Sequence, residues 1–523
     1  MRTTTRRAVL GAGLASAAGG LLTACSGSGS GSKPEKPVAY VAPDGKEVAA
    51  AEARRHRAGG SVREVRLTAA RTTLDLGGRK VASWAYGDVL PGREVRLTAG
   101  DTLALTLANH LPEPTSLHWH GLALRNDMDG VPDVTQRPVR PGGSFTYRFA
   151  VDRPGTYWFH PHSGTQQDRG LYAPLIVEDP KEPLAYDKEW VVVLDDWVDG
   201  VDGSTPDAVL AELAKGMGHG ESGGMDHGGG GGMGGMHHMA AAEPAQDGPS
   251  RMLMGASSPV LGGDAGDVAY PYYLVNGRTP DAPQTFSAKP GDRIRIRFVN
   301  AGGDTAFRVA LGGHRMTVTH TDGFPVEHVE TESLLLGMGE RYDVLVTAGD
   351  GVFPLTALAE GKKRTALALL RTGGGAAPAA DVRPAELDRT PLTAGRLKAA
   401  GPVRLEERRP DRTLTFELTG SMERYDWALN GRRYAPSERY PVAAGERVRL
   451  AFVNRSAMWH PMHLHGHTFA LPGGGPRKDT AVVLPGQRLE VDFDADNPGL
   501  WMLHCHNVYH AESGMMTLLG YRK

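Results

Sequence analysis

The chain has 523 residues, room for about three domains, with a formal net charge of -2 and only two cysteines. That near-neutral balance removes the electrostatic case for nucleic-acid binding. With 69 glycines and 36 prolines, the composition is that of a turn-rich all-β chain.

Residues 1–25 read as a targeting segment rather than as fold. Arg6-Arg7 precede an apolar stretch that ends at Leu22-Thr23-Ala24-Cys25. A twin arginine points to export of an already folded protein. The Leu-Thr-Ala-Cys box resembles a lipoprotein processing site, with Cys25 as the lipidated first residue. The expected location is the outer face of the cytoplasmic membrane, held by lipid on Cys25. Residues 26–60, opening on the Ser/Gly run Ser26 to Ser32, are expected to be a flexible tether. No other stretch is long and apolar enough to span a membrane.

The mature chain divides into three stretches: 61–180, 184–372 and 404–523. The first shows short alternating strands such as Val62 to Leu67 and Ser144 to Phe149, separated by Gly/Pro turns. Strands at this spacing indicate β-sandwiches. The second stretch carries an insert over 216–242 made largely of glycine, with Met217, Met225, Met233, Met236, Met239, His219, His227, His237 and His238. Glycine at this density builds no packed core. Thioether sulfur suits Cu(I) and imidazole suits either copper state, so the insert is expected to capture copper; a plain glycine-rich linker is the other reading. An Ala/Gly/Pro-rich connection covers 373–403, within which Pro384 to Leu397 is expected as a short helix or coil on the outside.

Ten of the twenty histidines fall into four clusters: His118-Trp119-His120, His160-Pro161-His162, His460-Pro461-Met462-His463-Leu464-His465, and His504-Cys505-His506 with His510. His-x-His at period two places both rings on one face of a strand, where they reach one metal or two neighbouring ones. Cys505 adds a thiolate and Met515 a thioether, the donor set of a blue copper site. Packing alone is a poor account of four such clusters in one chain.

An internal repeat orders them. Strands run from Gly100-Asp101 to Asn109, Gly291-Asp292 to Asn300, and Gly445-Glu446 to Asn454. Nine residues after each asparagine stand His118, Val309 and His463. A second half-repeat leads from Gly155, Gly351 and Gly499 to His160, Thr356 and His504. The middle copy therefore lacks ligands. If the outer two copies close on each other, eight histidines surround one shared site, and Cys505, His460, His510 and Met515 form a second within the last copy.

HWHG, HPH, HPMHLHGH and HCHNVYHAESGM together resemble the signature stretches of the multicopper oxidases, over essentially the whole mature chain. The similarity is to the bacterial three-domain copper-resistance type, in particular exported actinobacterial lipoproteins. It implies three cupredoxin-like Greek-key β-sandwich domains and four copper ions. Type 1 copper is then held by Cys505, His460 and His510 with Met515 axial, and type 2 by His118 and His463. One type 3 ion takes His120, His160 and His506; the other takes His162, His465 and His504. The implied reaction passes four single electrons from substrate through type 1 to a trinuclear cluster, where dioxygen becomes two waters.

The resemblance also implies acids for proton delivery. Asp129, in Asp127-Met128-Asp129-Gly130, stands where the family often places one, although a turn aspartate before glycine is the other reading. The second acid often follows the last type 1 histidine directly; here that place is Ala511, and Glu512 comes next. Met458 stands where copper-handling relatives contact substrate Cu(I), but Ser456 replaces the acid usually paired with it. The expected function is oxidation of Cu(I) by dioxygen in copper detoxification, by a monomer. Phenols or other organic reductants, as in laccases, are the alternative substrates. A copper-binding lipoprotein without turnover is the non-enzymatic alternative.

Overall fold

The computed structural model describes residues 38–56, 59–217 and 248–523. Period-two burial along strands such as Thr102–His110 puts one face of their sheet inside and the other out, whereas the histidine-bearing strands such as Gly155–His160 and Leu500–Cys505 are buried along their whole length. The pattern repeats three times, giving three two-sheet sandwiches.

In the first, Val62–Asp75 lies parallel to Thr102–His110 and antiparallel to Lys80–Tyr86, with Ser144–Ala150 completing the sheet. The opposite sheet orders Val95–Thr98, Ala173–Glu178, Gly155–His160 and His118–His120. The ring of Trp119 meets Tyr147 and Phe149 across the gap, so the two sheets share one aromatic core. The middle and last sandwiches each pair a six-stranded with a five-stranded sheet. Both reuse the parallel pairing: Lys188–Trp197 with Arg293–Asn300, and Arg412–Thr419 with Arg447–Asn454.

The repeated asparagine has one job in all three. Asn109 donates to the carbonyls of Glu113 and Val139, Asn300 to Thr305 and Leu336, and Asn454 to Met458 and Val483. Each side-chain oxygen also accepts a backbone N–H two residues on. The asparagine thus ties down the loop leading into the next strand of the other sheet, satisfying carbonyls that neither sheet reaches. In the outer sandwiches that next strand carries histidines. The cross-strand pairs are His118 with His160 and His463 with His504. In the middle sandwich Val309 pairs with Ala357, one residue beyond Thr356, so the ligand-free copy has also slipped in register.

The expected tether over 26–60 is corrected in its described part. Tyr40 bridges to Arg522, and a helix spans Lys46–Arg55 with Val48 and Ala51 buried. The reason lies in its sequence, KEVAAAEARR: strong helix formers with apolar residues three apart. Glu52 accepts the N–H of Ala150 and Arg55 donates to Asn497, so this helix is docked on the sandwiches. The connection over 373–403 forms short turns, Ala385–Asp388, Ala394–Arg396 and Gly401–Val403, anchored by buried Leu387, Leu392 and Leu397. Among the described residues no helix is long and apolar enough to cross a membrane.

Candidate metal centre

The two outer sandwiches bring their histidine strands face to face. His118 stacks on His465 at 3.7 Å between ring centroids, and His120 on His463 at 3.8 Å. Nε2 of His504 lies 3.3 Å from that of His162 and 3.1 Å from that of His465. Nδ1 of His120 lies 3.2 Å from Nε2 of His506. Eight imidazoles, four from each outer sandwich, thus form one cage. It contains three metal-capable groups: His118, His120 and His463; His120, His160 and His506; His162, His465 and His504.

The backbone decides which nitrogen of each ring faces inward. Nδ1 of His118 donates to the carbonyl of Asp129, that of His463 to Asp479, that of His160 to Pro161 and that of His504 to Cys505. A carbonyl only accepts, so these nitrogens carry the proton and Nε2 keeps the lone pair. Nε2 of His118, His160 and His463, and Nδ1 of His506, are buried without any hydrogen-bond partner. Burial drives His120, His160, His162, His465, His504 and His506 well below the usual imidazole pKa, and neighbouring rings add to the effect. Neutral rings with unused, convergent lone pairs fit metal ions.

Two carboxylates grip the cage. Asp129 is fully buried, with Oδ2 2.9 Å from Nδ1 of His465 and Oδ1 3.2 Å from Nδ1 of His118. Its position depends on Gly130: a Cβ there would sit 1.9 Å from the carbonyl oxygen of Leu117, so no other residue lets the turn tuck Asp129 under the histidine strand. Asp479 accepts from Nε2 of His120 at 2.9 Å and from both terminal nitrogens of Arg341 at 2.7 and 2.6 Å. Burial opposes charge on Asp479, yet the Arg341 fork holds its carboxyl well below the usual range. Glu512 stands on the helix Val508–Ser513, exposed at its surface, and makes no hydrogen bond to any of the ten histidines.

Beside the cage, Sγ of Cys505 lies 3.7 Å from Nδ1 of His460 and 3.7 Å from Nδ1 of His510, and those two nitrogens are 3.1 Å apart. All three residues are fully buried, as is Met515, whose carbonyl accepts from the N–H of Cys505. The outer nitrogens are tied off: Nε2 of His460 to Ser456 Oγ at 2.8 Å, and Nε2 of His510 to Asp267 Oδ2 at 2.9 Å. Burial pulls the pKa of His510 down, but Asp267 and the Cys505 sulfur outweigh it and raise it to about 10.

Met458 is 1% exposed. Met217 is exposed, with its N–H on the carbonyl of Glu423. His219, Met225, His227, Met233, Met236, His237, His238 and Met239 lie outside the described residues, as does Cys25. Sequence reasoning missed Asp479, Arg341 and Asp267. None has a local pattern, and Asp267 comes from the middle sandwich, whose described residues contribute to none of the metal-capable groups. It also missed that Ser456, noted only as a lost acid, orients His460.

Family models described as Multicopper oxidase match residues 68–182, 240–375 and 407–522. The chain is 46% identical to Multicopper oxidase MmcO of Mycobacterium tuberculosis, over 99% of this chain and 96% of that protein. It is 29% identical to a Copper resistance protein A homolog of Pseudomonas syringae pv. tomato, covering 86% of this chain and 91% of the relative. A crystal structure of a multi-copper oxidase from Pseudomonas thermotolerans superposes with a TM-score of 0.65 at 28% identity, covering 88% of this chain and all of that one.

Proposed function

Because the chain belongs to the multicopper oxidases, copper-dependent oxidoreductases, we propose that it holds four copper ions and oxidises Cu(I) at the expense of dioxygen. Three ions are assigned to the eight-imidazole cage and the fourth to Cys505, His460, His510 and Met515. The observation that carries this reading is the set of buried, partnerless ring nitrogens converging between the two outer sandwiches. Copper so held supplies one-electron uptake beside Cys505 and four-electron reduction of dioxygen to two waters in the cage.

The chain does the rest. Cys505 lies between His504 and His506, so consecutive residues join the two sites by covalent bonds. His162 is half-buried and lines a cavity of about 280 Å³ with Glu113, Gln166 and Asp207, a route for dioxygen. Asp129 holds His465 through Oδ2, while its buried Oδ1 makes no hydrogen bond and is the atom suited to pass a proton inward. Asp129→Asn is expected to keep copper and the blue absorption but to slow turnover and reoxidation. Unchanged turnover at full copper loading rejects this role.

Cu(I) as the reductant is supported by the relatives named for copper resistance and by what flanks the Met/His-rich insert. Before it, Met217 is bonded to the loop of Glu423, and in that loop Tyr425 packs on His510. After it, Met252 bridges to Val268, next to Asp267. Both flanks therefore lie by the Cys505 site. Burial of Met458 favours the second reading, an organic reductant such as a phenol, because its thioether is not offered at the surface. Deleting residues 216–239 separates the two. Oxidation of Cu(I) at low copper should fall more than oxidation of a phenolic dye; equal effects on both count against Cu(I). We further propose export and lipid anchoring at Cys25, with Cys25→Ser expected to release active protein from the membrane fraction.

A further inference from the structure

A cavity of about 220 Å³ lies where residues of all three sandwiches meet the N-terminal helix. Gly121 and Gly466, which directly follow His120 and His465, form part of its wall. Its charged lining is unusual. The helix contributes Arg54 and Arg55, the first sandwich Arg153, and the last sandwich Arg477. The guanidinium carbons of Arg153 and Arg477 stand 5.6 and 5.5 Å from the centre of one ring, Phe324 of the middle sandwich.

Two like charges on one aromatic ring repel, and Asp496 and Asp494 offset this for Arg477 only in part. Among the described residues neither Arg153, Arg477 nor Arg54 makes an ion pair with a carboxylate within 4.0 Å. Arg477 spends one terminal nitrogen on the carbonyl and hydroxyl of Thr468. Its Nε is buried with no hydrogen-bond partner. Three carboxylates also line the space. Asp494 is committed to the fork of Arg447, Asp496 is exposed, and Asp152 is engaged in an interaction of its own. Burial, and then Arg153, pull the Arg477 pKa down to about 10, against the opposing pull of Asp496 and Asp494.

Nε is closed off from the cavity and Nη2 is spent on Thr468, so Nη1 of Arg477 is the donor left over; beside Arg153 it matches an oxyanion, which accepts several N–H bonds at once. The volume admits a small ion with some water, at about 30 Å³ per water molecule, and excludes a nucleotide. We propose that this cavity is a binding site for a small tetrahedral oxyanion, phosphate or sulfate, held by Arg477 and Arg153 and closed by Arg54. Occupancy would tie the N-terminal helix to all three sandwiches.

The test is calorimetric titration of the copper-loaded full chain with phosphate and, separately, with sulfate, in chloride buffer of matched ionic strength. Saturable binding of either ion at one site per chain is expected. Arg153→Met, an exposed position that leaves the fold intact, and Arg477→Met should each weaken it tenfold or more. The wild-type unfolding midpoint should rise by about 2 °C at tenfold excess over Kd. No saturable heat with either ion overturns the proposal. So does an affinity that Arg153→Met leaves unchanged, whether or not Arg477→Met folds.

Discussion

At the scale of residues, the site depends on groups that fix protons as much as on groups that would touch metal. Asp479 shows this. It accepts from Arg341 and His120 through its side chain and from His463 through its carbonyl. Asp479→Asn keeps the shape but leaves a fully buried arginine short of its partner. Breaking a buried pair in this way costs about 3–5 kcal/mol, part of which Asp322, 3.5 Å from Arg341, should recover. The expected result is a clearly lower denaturant midpoint together with fewer coppers per chain, measured by elemental analysis. Full copper at an unchanged midpoint would contradict it. The ten histidines were legible in the sequence because period two is a local pattern. Asp479, Arg341 and Asp267 were not, since each acts on a ring far away in the chain. Asp129 was half legible: the turn before Gly130 could be read, but only the fold shows that the turn passes beneath His118.

At the scale of elements, the repeat read from Gly–Asn strands corresponds to three parallel strand pairs closed by the same asparagine latch. Asn300→Ala leaves the carbonyls of Thr305 and Leu336 and the N–H of Gly302 without their partner. At about 1–3 kcal/mol per buried unsatisfied group, partly relieved by relaxation, a loss of about 3 kcal/mol is expected in urea unfolding. Occupancy of the eight-imidazole cage and of the Cys505 site should stay unchanged, because the described residues of the middle sandwich contribute to none of the metal-capable groups. Asn454→Ala should lose as much and also disturb the blue absorption, since Asn454 holds Ser456 and Ser456 holds His460. If the two variants behave alike in both measurements, the latch has no special link to the site. The helix Lys46–Arg55 escaped the sequence reading because Ser/Gly composition upstream coloured the whole segment, whereas its own residues favour helix. The one-residue slip of the middle sandwich was equally hidden, as register depends on strand pairing rather than on spacing along the chain.

At the scale of the whole molecule, closure of the outer sandwiches relies on polar joints through the middle one. Asp343 accepts from Thr156 of the first sandwich at 2.6 Å and from Arg295 and Arg297 of its own. Burial alone would raise its pKa, but Arg297 and Arg295 prevail and hold the carboxyl far below its usual value. A carboxyl depressed on folding stabilises above its unfolded pKa of about 3.9, and that contribution is lost as pH falls below it. Wild type should therefore exceed Asp343→Asn in unfolding midpoint at neutral pH, and the gap should narrow below about pH 4. A gap constant down to pH 3 or below would show that Asp343 acts by shape alone. The fold class was legible at this scale from strand spacing and the threefold repeat; the joints were not, because they form only once the sandwiches are docked.

Anomalous diffraction at the copper edge from crystals of the copper-loaded chain tests the central claim most directly. Three peaks are expected inside the eight-imidazole cage and a fourth beside the sulfur of Cys505, within bonding distance of His460 and His510. An empty cage, or peaks confined to one sandwich, would contradict it.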